Sequence, residues 1–575
     1  MVRGTARSIG MLGALLLLGA ASPVEPVRYT LTPVFDDGSL SAVAVELTLR
    51  ADPSGRTVLE LPDGYGGEKE HWRYLSPVEV VGGSVSTISP SEREVRSAPN
   101  AALTIRYRVR TAYLSDPDAA GGNAYKGAAI RPTWFASLGN FLFATPRGRD
   151  DAPARFAWSG WPHRWTKASS LDARPITVND VAESNFLAGP DVTLRTRPIQ
   201  GGMLRLASHG RFGWSVDGYA DKVAAVVSAQ RRFWGEADGD YTVTLFQLAP
   251  SGSRTSTGGT GRAHGFVLYA SAASDADTLF RLIAHEHVHN WVPNRLGDSP
   301  EESGASLFWL TEGFTDFYTA RTLSVAGLWT PEQFAADLNR ALAAVASLPA
   351  GAYPNSRVAS DFWTDPAAGQ LPYDRGHLFA HLLDAELRRG GKPGLDTVMF
   401  AMRDRWAAAP AKAKPPILDN LLAVLDARGF DVRPLLAKHI DAGADILLPS
   451  DLLGRCASIS TTTIPTFDPG FDRDASAKTG AFAGVDPSGP AYAAGLRDGM
   501  SRVARVSGQE GDSRVPLRYR IRDASGERVI GWLPAGKGRL TLQEVRPNAD
   551  APRNCMGSPH GVGRSATALR SSMAT

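Results

Sequence analysis

The motif His285-Glu286-His287-Val288-His289, set in the stretch from Ser274 to Pro293, constrains this chain more than any other feature. Leu279, Phe280, Leu282, Ile283 and Val288 recur with helical spacing, so the stretch reads as a helix with one apolar face. Ser274 is the expected cap, Asp275 and Asp277 complement the positive end of the helix dipole, and Pro293 is the expected stop. On such a helix His285 and His289 lie one turn apart on one face, where both imidazoles reach a single cation. Glu286 points about 100° away, where its carboxylate takes a proton from a metal-activated water without becoming a ligand. With 11 histidines in the chain, this spacing arises by chance on the order of 0.01 times. The chain must therefore build a fold that buries this helix and closes a metal site around it. His287 lies on another face, expected to meet solvent or to support a ligand from behind.

A catalytic zinc takes a third protein ligand and keeps a fourth position open. The segment Trp309-Leu310-Thr311-Glu312-Gly313-Phe314-Thr315-Asp316-Phe317-Tyr318 offers that ligand: Glu312 follows His289 by 23 residues, room for a turn and the start of a second helix. Asp316 is one turn further on, suited to hydrogen-bond the outer nitrogen of a ligating histidine and fix its tautomer. His377 and His381 also have i,i+4 spacing, but no third ligand or base accompanies them.

The remaining sequence sets the surroundings. A chain of 575 residues, 43% hydrophobic and 21% charged, carries several cores rather than one. Its formal charge of +3 offers no broad field for nucleic acid. Arg3 and Arg7 precede an apolar run from Ile9 to Ala21, shorter than the ~20 residues a bilayer needs, so residues 1–21 read as a secretory signal peptide and no stable membrane span is expected after its cleavage. A periplasmic or secreted location follows as an expectation. The mature chain then holds only Cys456 and Cys555, which in an oxidising compartment are candidates for a disulfide stapling one C-terminal module, the alternative being two buried thiols.

Residues 22–198 alternate apolar and polar side chains, as in Val43, Val45, Leu47, Leu49 and again in Leu103, Ile105, Tyr107, Val109, which predicts an antiparallel β domain. From 199 to 445 the pattern becomes α+β, with strands around Tyr241–Leu245 and Phe266–Tyr269, then helices that include one starting at Thr330-Pro331-Glu332-Gln333. Residues 446–557 return to short strands and glycine-rich loops, and 558–575 form a Ser/Ala-rich tail. The expected fold class is thus a multidomain chain with an N-terminal antiparallel β domain and two α+β domains.

Taken together, His285–Trp291 and Trp309–Tyr318 resemble the gluzincin metallopeptidases, in particular the glycyl aminopeptidase family. That resemblance implies a thermolysin-like catalytic domain, a Zn2+ cofactor held by His285, His289 and Glu312, and Glu286 as general base. Leu371-Pro372-Tyr373-Asp374-Arg375-Gly376 is similar to the family's Tyr-x-Lys/Arg-Gly segment, implying that Tyr373 stabilises the tetrahedral oxyanion. Asp486-Pro487-Ser488-Gly489-Pro490-Ala491 through Gly499 is similar to the signature of protease-associated PDZ domains, which bind extended peptides by strand addition.

One departure concerns the substrate strand. Where the family resembles Gly-Gly-Leu-Glu-His, this chain has Gly261-Arg262-Ala263-His264. Ala263 stands where the family's glutamate binds a free substrate amine, while Gly261 and His264 are retained. The sequence therefore points to an exported zinc metallopeptidase acting on peptides or proteins, aminopeptidase or endopeptidase, with weak recognition of a free N-terminus unless Glu301 or Glu302 substitutes. The rival expectation is a peptide-binding PDZ-containing protein with a vestigial zinc site. Oligomeric state is not legible.

Overall fold

The computed structural model describes residues 25–557, apart from 66–67, 121–125, 173–174, 236–238, 252–254, 263, 300, 349–350, 411–412 and 509–510 and the side chains of 301–303. The expected signal peptide and the tail lie outside the described residues. The chain contains several β-sheets and a helical region, and divides into two units, residues 1–117 with 125–192 and residues 118–124 with 193–575.

In the first unit, the two alternating runs of the sequence pair with each other. Strands Ser39–Arg50 and Ala102–Arg110 are antiparallel with Val43 opposite Val109, Val45 opposite Tyr107, Leu47 opposite Ile105 and Leu49 opposite Leu103. Because side chains alternate across a strand, these eight residues share one buried face. Tyr107 takes its hydroxyl into that core and satisfies it by donating to Leu142 O at 2.8 Å and accepting from Ala144 N at 2.7 Å. The sheet is not wholly antiparallel as expected: Val27–Asp36 pairs in parallel with Pro153–Trp158. The unit also ends at Val192 rather than at 198, because residues from 193 onward supply an edge strand to the next sheet.

That next sheet has five strands, β1 (Thr193–Ile199), β2 (Gly202–His209), β3 (Tyr241–Gln247), β4 (Thr257–Arg262) and β5 (Gly265–Ala270), in the order β1-β2-β3-β5-β4. β3 lies between parallel neighbours, and six of its seven residues are buried. The glycine-rich β4 is an edge strand antiparallel to β5. Helix α1 (Val216–Trp234) and helix α2 (Ala276–Val288), which carries the His-Glu motif, join the same apolar core as the sheet. Asp275, not Ser274, caps α2: its carboxylate accepts from Thr278 N at 2.8 Å. Helical turns end at Val288, short of Pro293.

Four further elements complete the site's surroundings. A single turn, Phe308–Thr311, leads into α3 (Gly313–Val325), and α4 (Pro331–Ala346) and α5 (Pro366–Arg389) follow. Thr330 caps α4 through a reciprocal box with Gln333, as the Thr-Pro-Glu-Gln sequence predicts.

Beyond 446 the chain forms β6 (Ala457–Phe467), β7 (Ser501–Ser507), β8 (Leu517–Asp523), β9 (Gly526–Trp532) and β10 (Ala535–Pro547), with β6 paired to β10 and β7-β8-β9 forming a separate sheet. The second sheet has its own small core of Phe471, Phe482, Tyr519 and Trp532. β10 is tied to α4 by Asn339, whose side-chain amide donates to Val545 O at 2.9 Å and accepts from Val545 N at 2.7 Å, as a neighbouring strand would. Cys456 and Cys555 form a disulfide with Cα atoms 5.6 Å apart. In the chain-entropy account a loop of this length, 99 residues, is worth about 4–5 kcal/mol. No helix among the described residues is long and apolar enough to cross a membrane.

Candidate metal and catalytic site

Helix α2 presents His285 and His289 toward Glu312, which sits at the joint between the Phe308–Thr311 turn and α3. The three ligand atoms form a nearly equilateral triangle: His285 Nε2 to His289 Nε2 is 3.2 Å, His285 Nε2 to Glu312 Oε2 is 3.3 Å and His289 Nε2 to Glu312 Oε2 is 3.4 Å. Ligand atoms about 2.0–2.1 Å from a tetrahedral centre are about 3.3–3.4 Å apart, so the triangle has the size that Zn2+ requires. Among the described residues this is the one cluster of three or more such groups that converge closely enough to hold an ion.

The outer nitrogens support the same conclusion. His285 Nδ1 lies 2.8 Å from Asp316 Oδ1, and His289 Nδ1 lies 2.7 Å from Val292 O. Each ring therefore donates from Nδ1 and turns its Nε2 inward, where a lone pair is available to a cation. Two ring nitrogens and a carboxylate facing one point fit a cation. With no cation present the carboxylates hold a proton there instead: burial opposes charge on His285, yet hydrogen bonds to Asp316 and Glu312 push its pKa up to about 10, so a positive charge is favoured at the centre of the triangle and a metal ion would displace that proton. Glu312 is held well below the usual carboxylate range, against its burial, chiefly by His289 and His285.

Glu286 follows His285 on α2 and turns toward the glycine-rich strand. Its Oε2 accepts a hydrogen bond from Gly261 N on edge strand β4 at 3.1 Å. Burial raises its pKa, with His289 and His285 opposing, which suits a group that must hold a proton and release it. Tyr373 lies within α5, its ring centroid 6.1 Å from that of His285. Burial first and the charge of Glu312 second push its pKa far up, so its hydroxyl is a donor at any neutral pH.

Backbone contact brings the Tyr373 helix this close. A Cβ on Gly376 would lie 1.9 Å from Trp309 O, and one on Gly313 would lie 2.3 Å from Gly376 Cα. Only glycine at both positions lets α3 and α5 touch directly beside Glu312.

The structure thus brings together His285, Glu286, His289, Glu312, Asp316, Tyr373 and Gly261. His264 stands at the turn between β4 and β5, while Ala263 and the side chains of Glu301 and Glu302 lie outside the described residues. His287 does not face solvent: it is buried, 2.6 Å from Gln230 Oε1, and packed edge-on against Tyr241 and Trp291. Burial lowers its pKa to about 3, so it is a neutral core group. His377 and His381 are buried too, with ring centroids 5.1 Å apart, and burial holds both below the usual histidine range.

Arg281 is the neighbour that sequence reading passed over. Its Nη2 lies 3.1 Å from Asp316 Oδ1, the oxygen that also meets His285. Arg281 is four residues before His285 on the same helix, a spacing that was available as a signal.

Residues 278–366 match the model of the M61 glycyl aminopeptidase family. No curated protein sequence matches the chain. Among solved structures, an aminopeptidase N family protein from Idiomarina loihiensis aligns with a TM-score of 0.64 at 17% identity, covering 93% of this chain and 99% of that one. An M1 zinc metallopeptidase from Deinococcus radiodurans aligns over 74% of this chain and 96% of its own, at 17% identity and a TM-score of 0.48. The first of these likenesses extends the shared fold over nearly the whole chain.

Proposed function

We propose, from the premise that residues 278–366 are those of a glycyl aminopeptidase-like metallopeptidase, that this chain is an exported zinc peptidase using His285, His289 and Glu312 as ligands. The observation that carries the reading is the triangle of inward-facing donor atoms, with His285 oriented from behind by Asp316 and His289 by Val292 O. Bound there, zinc supplies Lewis-acid polarisation of the scissile carbonyl and acidifies water.

This chain's own groups supply the rest. Glu286 takes a proton from the attacking water as the new C–O bond forms at the carbonyl carbon. It then delivers that proton to the amide nitrogen as the C–N bond breaks. The Tyr373 hydroxyl donates to the oxyanion. Asp316 holds His285 in the required tautomer. β4 pairs with β5 along one edge, and its other edge is where an extended substrate would add as a strand, with Gly261 and His264 near the scissile bond.

Export is supported by the signal-like sequence of residues 1–21 and by the Cys456–Cys555 bond. A PDZ-like role for residues 446–557 rests on the 486–499 signature, whose glycines have a physical reason: Gly495 and Gly499 have φ of +99° and +81°, the left-handed region that favours glycine.

Turnover of a mixed peptide library by the zinc-loaded protein, abolished by a chelator and restored by Zn2+, tests the reading. Peptide binding without turnover would favour the vestigial-site alternative. Glu312→Gln should weaken zinc binding by more than the roughly 10–100-fold typical of losing an outer partner, read as zinc content at limiting metal. Unchanged content would remove Glu312 from the ligand set.

The substrate end follows from Ala263. A free N-terminus is a cation, and a partly desolvated site without a carboxylate compensates it poorly. N-acetylated and free versions of the same peptides should therefore be cleaved at similar rates. A preference of about 10-fold for the free amine, about 1.4 kcal/mol, would make aminopeptidase the correct description.

A further inference from the structure

Behind the groups assigned to substrate, helices α2 to α5 share a line of alternating charges. Arg281 reaches Asp316 Oδ1 with Nη2 at 3.1 Å and Asp337 Oδ1 with Nε at 2.8 Å. Arg340 Nη2 is 3.7 Å from the same Asp337 oxygen, and Arg340 Nη1 is 2.6 Å from Asp374 Oδ1. The three carboxylates are buried, whereas the Arg340 side chain is 43% exposed. The line begins at the carboxylate that orients His285 and ends at the residue after Tyr373.

Two observations indicate what the far end does. Pro372, inside α5, has no N–H for the carbonyl four residues earlier and crowds it, so the helix is weakest immediately before Tyr373. Among the described residues none hydrogen-bonds the Tyr373 hydroxyl, so its place depends on how the α5 backbone is held. The direct backbone contact of Gly376 with α3 holds one side. The Arg340–Asp374 pair holds the other, since Asp374 is buried on the α4 side and its charge requires a partner.

We propose that Arg340 is a positioning residue for the reaction: by tying Asp374 to Asp337 it fixes Tyr373 relative to the His285–Asp316 pair. This rests on the reading of Tyr373 as oxyanion donor. A tether of this kind acts on the transition state, where a misplacement of about 1 Å can cost on the order of 100-fold, and leaves ground-state binding largely intact.

The test is a double-mutant cycle on the zinc-loaded full chain, with kcat, KM, zinc content and thermal midpoint measured for Arg340→Met, Tyr373→Phe and the pair. Arg340→Met should lower kcat on the order of 10- to 100-fold, with KM and zinc content unchanged. In the Tyr373→Phe background the same change should cost less than about 2-fold, the limit of additivity error. A fourth variant, Arg340→Met with Asp374→Asn, removes both charges and should regain thermal stability without regaining kcat. Arg340→Lys, which keeps the charge but loses the fork spanning two carboxylates, should show the same pattern more weakly and serves if the Met variant does not fold. Equal losses in the two backgrounds, or recovery of kcat together with stability in the charge-free pair, would overturn the inference and leave the oxyanion reading standing. Full activity of Tyr373→Phe alone would overturn both.

Discussion

Glu286→Gln is expected to keep its zinc and lose most of its turnover, by about 10²–10⁴-fold, the usual contribution of a positioned general base. The amide has nearly the same shape, so the helix and the ligand triangle should survive. Gly261 N, 3.1 Å from Glu286 Oε2, can still donate to an amide oxygen. What is lost is a group that can gain and release a proton. The check is zinc content beside turnover on one peptide: near-normal turnover in a zinc-loaded variant would mean that another group takes the proton. The raised pKa of Glu286 adds a signature, because a base lifted by burial should place the acid limb of kcat/KM above the ordinary carboxylate range. Glutamine removes that limb from whatever activity remains.

Tyr373→Phe should lower kcat by about 10²-fold with little change in KM, since a single oxyanion donor is worth roughly that much and acts only in the transition state. The ring and its contact with His285 are kept, so folding and zinc content should match the parent. Equal falls in kcat and in substrate affinity would assign the hydroxyl to substrate binding instead. An unchanged kcat would remove it from the reaction.

The two kinds of information in this chain divide along a physical line. Features carried by short-range periodicity were legible in the sequence: the apolar face of α2 with its two histidines one turn apart, the reciprocal cap at Thr330, and the alternating strands whose inward residues face each other at Val45–Tyr107 and Leu47–Ile105. Local backbone geometry sets these patterns, and they need no distant partner to be recognised. Termini were less legible, because Ser274 and Asp275 are both good caps and the choice depends on which carboxylate or hydroxyl meets the Thr278 N–H. The identities of Glu312 and Asp316 could be anticipated from their spacing. Their distances from the histidines could not, since these depend on how α2 packs against α3, just as the approach of Tyr373 depends on α3 and α5 meeting at Gly313 and Gly376 with no side chain between them.

His287 shows the same limit from the other side. It shares a motif with the two candidate ligands, yet Gln230 and Tyr241, from a helix and a strand that precede the motif, enclose it together with the nearby Trp291. By itself the sequence pointed to the type of chemistry, because one helical turn and one carboxylate limit what can bind and what can take a proton. Only the tertiary structure decided which groups surround that chemistry. The charges of Arg281, Asp316, Asp337, Arg340 and Asp374 become one line solely because four helices bring them together around three buried carboxylates, where a charge without a partner is costly.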